Sequence, residues 1–279
     1  MSFEDVLPSM RPRYNYEGIE QCIRMVDQEA ERQEREESEG LSNPYIIMDI
    51  DEDSFIECFV NSGESIRRHS WELYDHASQS TLLKIYESAI HAVAGGAFET
   101  IFSAWTRKVD DTLILSTRAS AVRGDTWTKK ADISWTLIDP SGRPCKWPTF
   151  VGEVAWSEQR RKLLRDIEFW LNDSNGEVKI AITITIHARG RTTVSSNSEK
   201  EIQGIKLRFP AQKIKIIRKP APNCPRINGQ LKLQLHDIFL REKTGSEVDF
   251  VLTERDMERI ARSVWAFQFN SFAEISPSS

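Results

Sequence analysis

The sequence has few cysteines, and none of them are paired at a spacing typical of metal or redox sites. Four cysteines are scattered along 279 residues, at Cys22, Cys58, Cys145 and Cys224. A CxxC pair would favour a zinc site, and a short chain rich in cysteine would favour a disulfide framework. Both kinds of stabilisation are disfavoured, and the cysteines are predicted to be reduced thiols.

Long apolar runs and the common catalytic loop motifs are missing too. No stretch of about 18 apolar residues occurs, and the N-terminus lacks the basic-then-apolar order of a secretory signal. GxSxG, P-loop, HExxH and GxGxxG patterns are absent from the sequence. We therefore expect an intracellular protein that does not interact with a membrane.

Positive charge is not in excess. The chain carries 37 Lys and Arg against 42 Asp and Glu, with a formal net charge of -5. Binding of nucleic acid over the whole protein surface requires an excess of basic residues that neutralise phosphates. Any contact of this chain with nucleic acid must therefore be local. The basic cluster Arg160 to Arg165 and the stretch "KLRFPAQKIKIIRK" are the two candidates, and a solvated strand face explains the second equally well.

The distribution of apolar residues predicts one large domain with two tails. Residues 1–44 are predicted to form an acidic helix and tail, partly disordered, because almost no apolar residue follows Val26. Residues 45–270 are predicted to form the domain, with a polar loop at 189–204. Residues 271–279 are predicted to be a disordered tail.

Hydrophobic periodicity predicts an α/β fold. Apolar residues at three- and four-residue steps indicate a long helix from Ser80 to Lys108. The segments "DTLILSTRASAV", "KKADISWTLI" and "FVGEVAW" are typical of strands, a helix begins near Ser157, and "VKIAITITIH" predicts a central parallel strand. Further strands and a helix capped by Thr253 close the chain.

One strand carries an acid in its apolar centre. Side chains alternate along a strand, so Val151, Glu153 and Ala155 share one face. If the preceding strand pairs in the obvious register, Asp132 converges on Glu153. Two such carboxylates repel each other unless a proton or a divalent cation lies between them, and Mg²⁺ suits oxygen ligands.

The segments "KKADISW", "WPTFVGEVAWSEQ" and "LLRDIEFWLNDSNGEVKIAITI" resemble a set of fungal proteins with the pattern EPDSS, WPTxVxEVxxSES and WWLxxSxGxVKI. Together with the order of elements, they resemble the PD-(D/E)xK nuclease-like superfamily over roughly residues 80–267. The resemblance implies a restriction-endonuclease-like core of helix, three strands, helix and strand, followed by C-terminal strands and a helix.

The resemblance also implies a hydrolytic phosphodiester site. Asp132, Glu153 and the Val154 carbonyl would bind Mg²⁺ or Mn²⁺, and a lysine would orient the attacking water. Arg160, Arg161 and Arg165 would contact a DNA or RNA backbone. They lie where the backbone of a substrate has to pass if Glu153 binds a metal.

The chain departs from this pattern at the motif lysine, where Ala155 stands instead. A cation that orients the attacking water contributes about 10²- to 10⁴-fold to the rate of general-base catalysis. The loss of this lysine therefore weakens the interpretation as an enzyme without excluding it. Lys130 is the leading substitute because it shares the face of Asp132. Lys162 is another, although a surface pair with Asp166 one turn later accounts for it more simply.

Simpler interpretations remain for each residue. Glu153 could be a structural acid bonded to Arg161 or to strand amides, and Asp132 could cap a turn. Glu87 and His91, one turn apart, could add a ligand or a proton carrier, but a satisfied helical pair is favoured. The alternative function is a degenerate scaffold that binds nucleic acid, or a protein partner through the acidic N-terminal helix.

Overall fold

The computed structural model divides the chain into two compact units. The first comprises residues 1–88 and 120–130, and the second comprises residues 89–119 and 131–279. The residues described are 11–37, 45–61, 70–85, 88–118, 120–156, 160–187, 191–202, 205–217 and 226–270. The division differs from the predicted single domain 45–270, because two strands of 120–130 join the sheet of the first unit.

A six-stranded sheet organises the first unit, in the order β1-β2-β4-β3-β7-β6. Elements are numbered in chain order through both units. Those of the first unit are β1 (Arg13–Asn15), α1 (Ile19–Glu37), β2 (Tyr45–Asp49), α2 (Glu52–Phe55) with a π-helical turn (Ile56–Val60), β3 (Ser70–Asp75), β4 (Ser80–Lys84), β6 (Ala121–Arg123) and β7 (Trp127–Lys130).

Helix α1 buries one face, which the acidic composition of residues 1–44 does not indicate. Cys22, Met25 and Val26 are buried, and one turn later Glu29 is buried as well. Glu29 accepts a hydrogen bond from the Tyr14 hydroxyl at 2.5 Å. A polar residue with a partner can therefore continue an apolar stripe, which hydrophobicity alone does not reveal. The predicted tails at 1–10, 38–44 and 271–279 lie outside the described residues.

The predicted helix from Ser80 begins later than expected. Residues Ser80–Lys84 form strand β4, which pairs antiparallel with β2 on one side and β3 on the other. All five residues of β4 are buried. A strand covered on both faces reads as a continuous apolar run, and over a few residues such a run cannot be told from a helix.

The second unit has the predicted α/β order of helix, three strands, helix and strand, followed by C-terminal strands and a helix. Its elements are α3 (Ala89–Val109), β5 (Ile114–Ser116), β8 (Ile133–Leu137), β9 (Phe150–Trp156), α4 (Arg160–Asn172), β10 (Ile180–His187), β11 (Arg191–Ile202), β12 (Ile205–Ile217), β13 (Arg226–Asn228), β14 (Leu231–Leu233), α5 (Leu235–Phe239), β15 (Phe250–Leu252) and α6 (Glu254–Asn270).

The sheet of this unit has seven strands in the order β13-β12-β11-β10-β9-β8-β5. Strands β9 and β10 are parallel, and α4 forms the predicted crossover between them. The cap of α6 is also as predicted, since the Thr253 hydroxyl donates to Asp256 at 2.6 Å. The core element order is thus confirmed.

The predicted polar loop 189–204 is largely a strand. Residues Arg191–Ile202 form β11, which pairs antiparallel with β10 and β12. Thr192 and Val194 are buried. Threonine and valine suit a pleated surface, and pairing on both edges satisfies the backbone, so local polarity is a poor guide here.

Aromatic side chains fill the layer between α3 and the sheet. The Phe102 ring centre lies 4.5 Å from that of Phe150 on β9 and 5.0 Å from that of Phe250 on β15. Gly152 lies in the same layer, where an added Cβ would meet Ile182 at 3.1 Å. Strand β9 is therefore fixed closely against its neighbours. No helix within the described ranges is long and apolar enough to cross a membrane.

Candidate functional site

The candidate site lies where β9 extends past the end of β8. Strand β8 begins at Ile133, which pairs with Gly152, whereas β9 continues to Trp156. The backbone of Val154 therefore has no strand neighbour on the β8 side. An N–H and a carbonyl in this position need other partners, because unpaired buried backbone groups are costly.

Two side chains complete this edge. The Val154 N–H donates to Oδ2 of Asp132 at 2.7 Å. Nε2 of His91, on α3, lies 2.9 Å from the Val154 carbonyl oxygen and 3.2 Å from the same Asp132 oxygen. The Asp132 carboxylate and the Val154 carbonyl thus converge on a single point, which the imidazole nitrogen faces.

Glu153, predicted to converge with Asp132, is directed to the side of β9 that faces α4, whereas Asp132 contacts the strand edge and α3. The Glu153 carboxylate is buried, with 3% of the residue exposed. Oε1 accepts a hydrogen bond of 2.6 Å from the indole N–H of Trp170, on α4. The predicted alternation along β9 is confirmed, since Phe150 packs on α3 and Glu153 contacts α4. The arrangement accounts for a carboxylate within an apolar strand.

Replacing Trp170 by phenylalanine is expected to lower the free energy of unfolding by about 1–3 kcal/mol, because a buried carboxylate loses a donor while the packing of a large ring is mostly retained. Urea denaturation measures the change. The same substitution in a Glu153→Gln background should cost less, since a neutral amide is cheaper to leave without that donor. Equal losses in both backgrounds would argue against a charge-assisted bond.

Lys162 and Asp166 occupy the same face of α4 as Trp170. The predicted pair forms, with 2.9 Å between Nζ and Oδ2. It is not a surface pair, however, because only 12% and 5% of the two side chains are exposed. Lys162 lies about 12 Å along the helix axis from Trp170, beyond the C-terminal end of β9.

Lys130 belongs to the first unit, whereas Asp132 belongs to the second. Its ammonium lies 4.1 Å from the centre of the Trp71 ring. Burial lowers the pKa of Lys130 to about 8. The amine thus has an aromatic partner within its own unit.

The predicted phosphate-binding arginines lie in the first two turns of α4. Arg161 is exposed. Arg165 is half-buried and pairs with Glu168 at 2.7 Å. The side chain of Arg160 lies outside the described part of the chain. Of the two arginines whose side chains are described, Arg161 is the more exposed.

Ala155, at the position of the motif lysine, is buried, with 5% exposed. It shares the face of Glu153 on β9. Strand β9 therefore contains one charged residue, Glu153, and no lysine.

The donor atoms near Val154 fit a divalent ion in part. Ligands of an octahedral ion at about 2.1 Å are roughly 3 Å from one another, and the two oxygens lie at this distance from His91 Nε2. The same separations are those of hydrogen bonds. Within the described ranges, no group of three His, Cys, Asp or Glu side chains is arranged to hold a metal. A site here depends on the Val154 carbonyl.

The contacts of His91 with Val154 and Asp132 were not predicted from the sequence. The helical pair with Glu87 was favoured, and Glu87 lies outside the described residues. The sequence indicated only that His91 lies on a long helix, one turn after Glu87. Its contact with β9 joins residues 63 positions apart in the chain.

Comparisons with known proteins add little. No family model matches the chain, and no curated protein matches it. Among solved structures, one similar chain is described as a "putative nuclease" of DUF820 from Anabaena variabilis, with 12% identity and a TM-score of 0.38. The match covers 55% of this chain and 82% of that one. A TM-score of 0.38 carries no conclusion, so the likeness to the fungal family remains a prediction.

Proposed function

We propose that the second unit is a divalent-metal-dependent phosphodiesterase that acts on DNA or RNA. One observation supports this most directly: Asp132 Oδ2 and the Val154 carbonyl oxygen, both expected as ligands, converge on one nitrogen at 3.2 and 2.9 Å. That nitrogen belongs to a third residue able to bind a metal. Convergence of three donors from distant segments is more than an edge cap requires.

In this proposal Asp132, the Val154 carbonyl and His91 hold the ion. Glu153, also predicted as a ligand, contacts Trp170 on α4 instead and is assigned no contact with the ion. Mn²⁺ accepts an imidazole ligand more readily than Mg²⁺ does. A bound divalent ion would stabilise negative charge on the phosphoryl group. Lys162 is the proposed cation that orients water, and Arg161 is the proposed contact to the phosphate backbone, with Arg160 and Arg165 beside it.

Substitutions that keep hydrogen bonding but remove metal ligands test the proposal. Asn at position 132 can still accept from the Val154 N–H, and Gln at position 91 can still donate to the Val154 carbonyl. We expect Asp132→Asn and His91→Gln each to weaken Mn²⁺ binding by at least about tenfold, which is the lower range for changes near a metal. Titration calorimetry with Mn²⁺ measures the affinity.

Matched variants control for charge and for general effects. Asp111→Asn and His236→Gln change exposed residues of the same two types. They should bind Mn²⁺ as the wild type does. Cleavage of labelled single- and double-stranded DNA and RNA in Mn²⁺ should fall with binding in the first pair of variants only. Wild-type protein that binds no Mn²⁺ would reject the proposal.

A binding scaffold is the second candidate, and Ala155 favours it. A buried methyl group at that position provides no cation next to Glu153. Such a protein would bind nucleic acid without cleaving it. Nucleic-acid binding with neither Mn²⁺ affinity nor cleavage is the result that would select this function. A protein partner at the acidic face of α1 remains a prediction.

A further inference from the structure

Three arginines form a row along the outer face of α6. Arg255, Arg259 and Arg262 are exposed, and they line an open groove of about 780 Å³. Residues four and seven positions apart lie on the same side of a helix. Measured along the axis from Arg255, the second and third arginines lie about 6 and 10 Å away.

Acids on this face are already engaged. Glu258 accepts from Nε of Arg262 at 2.8 Å. Asp256 accepts from the Thr253 hydroxyl at 2.6 Å as part of the helix cap. Arg255 and Arg259 form no ion pair with any residue in the described part of the chain. Two guanidinium groups one turn apart thus keep their charge available to a ligand.

The arrangement costs helix stability. Like charges at this spacing repel each other, and Arg255 lies in the first turn, where the helix dipole disfavours a cation. An acid at position 259 would instead form an attractive pair with Arg255. If the face served only solubility, such a change would increase the stability of the helix. The presence of two arginines instead favours a role in binding an anionic ligand.

We propose that this arginine face of α6 binds the phosphate backbone of a nucleic acid. Guanidinium groups bind phosphate oxygens in pairs, with a planar geometry that suits them to this ligand. The row of about 10 Å along α6 spans about three phosphates of a strand, which carries one charge per about 3.4 Å of duplex axis. Because the whole protein is acidic, a polyanion has to be held by a local cluster of this kind.

The ligand class rests on the proposed function, but the contact does not involve the proposed metal ligands. Binding can therefore be measured in EDTA, where no metal-dependent cleavage occurs. Loss of this contact and failure of the phosphodiesterase proposal then give different results. Mn²⁺ affinity and cleavage report on the metal site, and binding in EDTA reports on α6.

The test compares two double variants that remove the same number of charges. One is Arg255→Gln with Arg259→Gln; the control is Arg107→Gln with Lys108→Gln, two exposed residues at the end of α3. Fluorescence anisotropy follows binding of labelled DNA and RNA of about 20 nucleotides, longer than a typical site. Salt is varied from about 50 to 200 mM, the range over which phosphate contacts weaken strongly.

We expect the α6 variant to reduce the slope of log affinity against log salt by about 1.4 for single strands, or 1.8 for duplexes, which corresponds to two phosphate contacts. The control should keep the wild-type slope. The double variant Arg255→Lys with Arg259→Lys retains both charges and should keep most of the wild-type slope. Thermal unfolding verifies that each variant is folded.

Three results would overturn the inference. Wild-type protein that binds neither DNA nor RNA is the first. Equal changes of slope in the two double variants would indicate a general effect of charge. Displacement of the labelled strand by polyglutamate as readily as by unlabelled nucleic acid would indicate an acidic protein as the occupant.

Discussion

Replacing Phe102 by alanine is expected to lower the free energy of unfolding by about 3–5 kcal/mol, the range for removing a fully buried aromatic ring. Phe102 is completely buried. Its ring centre lies 4.4 Å from that of Trp135 and 4.5 Å from that of Phe150, with Phe250 at 5.0 Å. These partners come from three strands, so the cavity cannot be closed by moving one side chain.

Denaturation in urea or guanidinium, followed by tryptophan fluorescence, measures this effect. Phe267→Ala is the matched control, since 45% of Phe267 is exposed on α6. The control should cost less than about 1 kcal/mol, as substitutions outside the core usually do. Similar losses in both variants would mean that the aromatic layer around Phe102 does not organise the fold.

Replacing Glu153 by glutamine is expected to leave metal-dependent cleavage within about tenfold of the wild type, at or below the range of about 10- to 100-fold for residues that support a metal, because its buried carboxylate contacts Trp170 on α4 and not the proposed ion. Glutamine has nearly the same volume and can still accept from the Trp170 indole. Neutralising a buried carboxylate also removes its desolvation cost, so stability should be unchanged or higher. Retained activity with unchanged or higher stability is therefore the expected pair of results.

Initial rates on labelled DNA and RNA in Mn²⁺, with urea denaturation of the same samples, measure both quantities. Glu168→Gln is the control because it makes the same chemical change on α4, at a side chain that is 42% exposed. A loss of cleavage of about 10²-fold or more in Glu153→Gln, while Glu168→Gln stays active, would instead make Glu153 part of the catalytic site.

The sequence predicted the core of the second unit because its signals are local. The apolar run in β10 and the Thr253 cap each depend on neighbours within a few residues. The crossover from β9 through α4 to β10 follows from a buried parallel strand. These elements appear in the predicted order, and α6 begins with the predicted cap.

The first unit was not recognised, for a physical reason. Strand β7 pairs with β3 across about fifty residues of intervening chain that include α3, and β6 pairs with β7 at the sheet edge. Such pairing depends on long-range contacts that no local pattern encodes. The strand β4 was read as helix and β11 as loop for the same reason, since partners on both edges decided each state.

The sequence alone determined which residue types could form the site and on which faces of β9 they lie. Alternation along a strand is a property of the backbone, so Glu153 and Val154 had to point in opposite directions. Tertiary structure alone decided their partners. Helix α4 brings Trp170 to Glu153, and α3 brings His91 to the edge left open by β8. Side-chain partners depend on how distant elements pack, and packing is set by the whole core rather than by any single segment.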